Sequence, residues 1–158
     1  MKMNYLLPNY LKKIGWVLLV PGFLMLIAFL FFEFQPDFLD ITVFAFYNDE
    51  IMGGRDVFAF IKHNVFDELS CVFFIIGAIL IAFSKEVVED ELISKIRLES
   101  LVWATYFNYA ILLFTIIFIY GMGFFWVMAF NIFTILLFFI IRFTWMKNKS
   151  KIALVHEE

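Results

Sequence analysis

The sequence predicts an all-α integral membrane protein: four transmembrane helices, both termini in the cytoplasm, and a short outer loop folded as a β-hairpin or an interfacial helix. Three observations carry that prediction. The 158 residues are 64% hydrophobic and 22% aromatic but only 17% charged, whereas an ordinary soluble domain is about 45–50% apolar and about 25% charged. The apolar residues lie in three long uncharged stretches, Ile14–Phe32, Leu69–Ser84 and Ser100–Ile141. Finally, Ile111–Tyr120 (ILLFTIIFIY) has no polar face at any helical phase, and a soluble helix needs one. The length suits one membrane domain and leaves no room for a sizeable soluble domain beside it.

A helix rises about 1.5 Å per residue and the hydrocarbon core is about 30 Å thick, so one span takes about 20 residues. The first stretch places a span at 14–33. Lys12 and Lys13 precede it as in a signal peptide, but the apolar run exceeds a typical h-region and Phe32-Glu33-Phe34-Gln35 offers no small-x-small cleavage site. Pro21-Gly22 inside it implies a tolerated kink. The second span is expected over 65–84, with Asn64 as its cap and Asp67 in its first turn. The third stretch is 42 residues long, roughly 63 Å as a single helix, and must fold back. Gly121-Met122-Gly123 has the backbone freedom to reverse, giving spans at 101–120 and 124–144. Gly77, Ala78 and Ala104 are small enough to let helices approach closely.

Ten of the twelve basic residues flank these spans on one side: at the N-terminus, in the 85–100 segment, and around the tail 146–158. Only Arg55 and Lys62 fall opposite, so the positive-inside rule puts both termini in the cytoplasm. Trp16, Trp103, Trp126 and Trp145 sit near the ends of the expected helices, as an aromatic belt requires.

The outer loop covers 35–64. Ile41–Tyr47 is rich in β-branched and aromatic residues and predicts a strand. Val57-Phe-Ala-Phe60 repeats Val43-Phe-Ala-Phe46, a match too short to indicate duplication; a hairpin lying on the membrane or an interfacial helix capped by Asp56 both accommodate it. Asp49, Glu50 and Asp56 carry oxygen ligands suited to a hard cation, but more ordinarily form the solvated tip of a turn. No metal site is assigned.

The 85–100 segment, KEVVEDELISKIRLES, has neither Gly nor Pro and is expected to run helically into the third span. Glu91, Lys95 and Glu99 share one row at i,i+4 spacing, and Val88, Leu92 and Ile96 form an apolar stripe. The segment reads either as a charged helix at the lipid surface or as a docking face for a cytoplasmic protein; Glu89, Asp90, Glu91, Lys95 and Arg97 are the candidate docking residues. At mid-membrane depth the spans carry no charged residue. The polar groups at depth are Asn108, Asn131 and Thr134, with Thr105 nearby. Counted from residue 122, Asn108 lies about 21 Å down, Thr134 about 18 Å and Asn131 about 13.5 Å. Such residues act mainly as interhelical glue.

Two histidines, His63 and His156, cannot supply the paired ligands of a membrane di-haem protein, and the single Cys71 excludes a thiol pair. No phosphate loop or HExxH motif occurs. No catalytic residue and no cofactor are expected, and a net charge of −3 argues against direct binding to nucleic acid.

Ser84–Ser100, followed by Trp103 and Asn108-Tyr109, together with Phe125-Trp-Val-Met-Ala-Phe-Asn131 through Arg142, resembles a family of small bacterial four-helix inner-membrane proteins of uncharacterised activity. Related-looking small membrane proteins often accompany short helix-turn-helix regulators. The resemblance implies an inner-membrane location and a DNA-binding regulator as cytoplasmic partner, and carries over no catalytic residue. The leading expectation is a non-enzymatic scaffold or regulatory partner in the bilayer that presents its charged helix. The alternatives are a small transporter or channel subunit acting as a homo-oligomer, and a membrane enzyme acting on lipid or thiol substrates.

Overall fold

The computed structural model describes residues 5–49 and 55–155. In chain order these form α1 (Tyr10–Phe32), a 3₁₀ turn (Asp37–Leu39), β1 (Asp40–Asp49), β2 (Arg55–Asn64), α2 (Phe66–Phe83), α3 (Glu91–Phe118) and α4 (Met122–Val155). All four helices are long and apolar enough to cross a membrane. Their contacts fall into two compact units. Leu18–Phe74 form one unit; Met1–Val17 with Ile75–Glu158 form the other.

In the unit Leu18–Phe74, the chain leaves α1 through Glu33, at φ +49°, and enters the antiparallel pair β1–β2. The hairpin forms where strand and interfacial helix were both open. Its register sets Phe44 opposite Phe60 and Ala45 opposite Ala59. Because alternate residues of a strand share a face, this register gathers Phe44, Phe46, Phe58 and Phe60. Ring centroids lie 5.2 Å apart for Phe44–Phe46, 5.3 Å for Phe44–Phe60 and 5.6 Å for Phe46–Phe58. The short repeat therefore has a physical meaning: in antiparallel pairing it brings its own phenylalanines into edge-to-face and tilted contact. All four remain exposed. The suggested cation ligands fall outside the described structure, which includes neither residue 50 nor the side chains of residues 49 and 56.

β2 runs almost directly into α2. Asn64 Oδ1 accepts from Phe66 N at 3.1 Å, capping the helix, while its Nδ2 donates to Pro36 O and Asp40 Oδ1. Here α1 and α2 approach so closely that a Cβ on Gly22 would stand 2.7 Å from the backbone N of Phe74. The glycine beside Pro21 is thus a point of helix contact, and Phe74 is almost fully buried there.

In the other unit, Gly15 meets α2 similarly, with Gly77 O 2.9 Å from where its Cβ would be. Ala78 and Ala104 are fully buried. α3 and α4 join at Gly121, whose φ of +70° lies in the left-handed region that glycine enters without steric cost.

Three boundaries differ from expectation: α1 already begins at Tyr10, α4 continues as helix to Val155 through the expected tail, and α3 starts late. The 85–100 segment does not begin as helix; α3 starts at Glu91. Asp90 has extended backbone and its side chain accepts from Ile93 N at 2.7 Å, an N-cap that satisfies a donor a longer helix would have used differently. Residues upstream pair instead with the N-terminal segment: Leu7 N donates to Phe83 O and Lys85 N to Leu7 O, both at 2.9 Å. The stripe drawn through Val88 is accordingly broken. Val88 is exposed, while Ile93 and Ile96 carry the buried side of α3.

Candidate functional site

The densest polar structure lies in the 84–90 connection. Asn9 Nδ2 donates to Lys85 O at 2.6 Å. This fixes the backbone that presents Glu86, and two ammonium groups converge on its carboxylate: Lys12 from α1, and Lys147 from α4 at 3.3 Å. Glu86 N donates to Glu89 Oε2 at 2.9 Å, and Glu89 in turn holds Arg97 Nη2 with both oxygens, at 3.1 and 3.0 Å. Arg97 Nη1 donates to Ala82 O at 3.0 Å and Ser84 O at 3.2 Å. The Phe143 ring lies below the Arg97 guanidinium, 4.8 Å from ring centroid to Cζ, with the Lys12 and Lys147 ammonium groups each 6.0 Å away.

This is a five-charge network with little solvent around it; Arg97 is only 4% exposed. Burial by itself pushes the Glu86 carboxyl up, but the hydrogen bonds and charges of Lys12 and Lys147 outweigh it and hold the group below its ordinary range. An unpaired charge in such a place would cost several kcal/mol (order of magnitude), so the pairing is what permits the burial.

The structure divides the candidate docking residues. Glu89 and Arg97 pair with each other and Asp90 caps α3, so all three are engaged within the fold. Glu91 and Lys95 are exposed, and Lys95 Nζ lies 4.0 Å from Glu99. Sequence reasoning did not single out Lys12, Glu86 or Lys147 as partners. A signal existed, because all three flank uncharged stretches on the same expected side.

The candidate interhelical residues do come together. Thr134 Oγ1 donates to Asn108 Oδ1 at 2.5 Å, and the Asn108 and Asn131 amides exchange hydrogen bonds at 3.2 and 3.3 Å. Asn108 is buried, and its polar atoms are satisfied across α3 and α4.

A further group went unnoticed in the sequence. At the β2–α2 junction, His63, Asp67 and Glu68 bring one ligand atom each within 4.8 Å of one another, with His63 Nε2 2.9 Å from Glu68 Oε1. His63 and Asp67 also line a polar cavity of about 290 Å³ with Gln35, Asp40, Lys62 and Asn64. One imidazole and two carboxylates form a donor set suited to a divalent transition ion. The H-x₃-D-E spacing across a strand end and a helix start was the available signal. An apolar cavity of about 230 Å³ lies beside the ionic network, lined by Leu6, Phe83, Arg97, Leu98, Leu101 and Phe139 among others.

Set against protein-family models, curated proteins and solved structures, the chain matches none.

Proposed function

We propose that the chain is a polytopic protein of the bacterial inner membrane, both termini cytoplasmic, that works without catalysis by presenting the first turns of α3 to a cytoplasmic protein. One observation carries this reading. α3 is a single helix of 28 residues, about 42 Å long and longer than the roughly 30 Å hydrocarbon core. Its capped N-terminal turns project beyond the span with Glu91, Leu92, Lys95 and Glu99 exposed. The docking face is narrower than the whole charged segment, since Glu89, Asp90 and Arg97 are used internally. The resemblance of the segment to proteins that accompany helix-turn-helix regulators suggests a DNA-binding regulator as the partner.

The mutual bonding of Asn108, Asn131 and Thr134 fits assembly of α3 against α4 better than a polar path for a transported solute. Crosslinking mass spectrometry in native membranes tests the proposal. Wild type should capture a cytoplasmic protein through 91–99, and the charge-reversed pair Glu91→Lys with Lys95→Glu should lose it while staying in the membrane. An unchanged partner list would refute the docking face. Cysteine labelling that put the two ends on opposite sides would refute the topology.

A further inference from the structure

We infer that the 84–97 network and the cavity beside it form a binding site for one anionic phospholipid, the head at the network and an acyl chain in the cavity. Charge counting is the first support. Lys12, Arg97 and Lys147 face Glu86 and Glu89, so the network holds one positive charge that its own carboxylates leave uncompensated. The second support is an orphan donor. Arg97 is 4% exposed; its Nη1 and Nη2 are bonded, but Nε is buried with no partner among the described residues. A ligand oxygen that approached it would find a donor already stripped of water.

The third support is the cavity itself. Arg97 lines it together with Tyr5, Leu6, Phe83, Leu98, Leu101 and Phe139, a mostly apolar wall whose polar members are the guanidinium and the Tyr5 phenol. Phe139 stacks on Phe83 at 6.2 Å on one side and on Phe143 at 5.8 Å on the other; Phe143 is the ring beneath the three cations. The apolar wall is therefore continuous with the charged network, as an amphiphile with one anionic end requires. The assignment rests on the proposed membrane topology, which sets this end of α2 and α3 at headgroup level in the cytoplasmic leaflet, where basic pockets between helices take anionic heads. A zwitterionic head carries no net charge to neutralise the network.

Full-length protein in mild detergent, titrated with phosphatidylglycerol and phosphatidylethanolamine of identical chains and read by native mass spectrometry, tests the site. One phosphatidylglycerol should bind, about fivefold more tightly than the zwitterionic lipid, the preference that one uncompensated cation carries. Leu101→Trp, which fills the cavity, should abolish that binding. Arg142→Gln, which removes a cation lying over Trp103 and outside the cavity lining, should leave it intact. Equal binding of the two lipids by wild type overturns the site whatever the variants do, and so does equal loss in Arg142→Gln, which would mean diffuse charge attraction. Carbonate extraction separates this site from its premise. If the chain is stripped from vesicles, the topology falls and the site with it; if the chain is retained but shows no lipid preference, the site alone falls.

Discussion

The two long connections of this chain invert one another. Between α2 and α3, residues 84–90 carry charged side chains into a largely buried network with Arg97. Between α1 and α2, the β1–β2 hairpin holds four phenylalanines on an exposed face. In a water-soluble domain the two would trade places. Polarity by itself therefore does not decide burial. A charge is buried when geometry gives it a partner and enough hydrogen bonds. An aromatic ring is left exposed when the fold supplies nothing to cover it, and an isolated two-stranded hairpin has little interior of its own.

The comparison breaks most sharply at Arg97. Arg97→Ala would orphan Glu89 and the carbonyls of Ala82 and Ser84, a loss of about 3–5 kcal/mol. In thermal unfolding of the detergent-solubilised protein that corresponds to a fall in Tm of roughly 6–20 °C. Adding Glu89→Leu should recover much of the loss, because the stranded charge goes with it. A single variant that melted like wild type would show that the network contributes nothing. Asn108→Leu comes next. It removes neutral interhelical hydrogen bonds and should cost about 1–2 kcal/mol, checked in the same melts and compared with Thr134→Val.

Acid probes the same network without mutation. The Glu86 carboxyl is held below its ordinary range by Lys12 and Lys147. Its contribution to stability is therefore complete above the unfolded-state value, about pH 4.3, and is lost as the pH falls through the lower folded value. Wild type should lose Tm on acidification below about pH 4.3, and Glu86→Gln should show a shallower decline over that window. Parallel curves would remove Glu86 from the account. The smallest effect belongs to the hairpin. Phe60 is 74% exposed, so Phe60→Ser should move stability by less than about 0.5 kcal/mol. A large drop in the same assay would mean that something covers the aromatic face in solution.

Legibility differs by element. The four helices could be read because a long uncharged run is a local property, and the reversal at Gly121 because few residues enter its backbone region without strain. Asn64 was readable as a cap from its position ahead of an apolar run. The start of α3 was not, since composition alone cannot say that Leu7 pairs with the chain at Phe83–Lys85 and that Asp90 begins the helix in consequence. The docking candidates suffered the same way. Glu89 and Arg97 look like surface charges in a list of residues and turn out to hold each other at 3.0 Å.

Sequence alone determined how many long apolar helices this chain makes. Helix length and side-chain polarity are set residue by residue, with no reference to distant parts of the chain. Only the tertiary structure decided which charges meet. Lys12 and Glu86 stand 74 positions apart and Lys147 a further 61 beyond Glu86, and an ion pair depends on a few ångströms of separation that no local pattern encodes. The same holds for the phenylalanines of the hairpin, whose edge-to-face and tilted contacts depend on the strand register that sets the two copies of the repeat against each other.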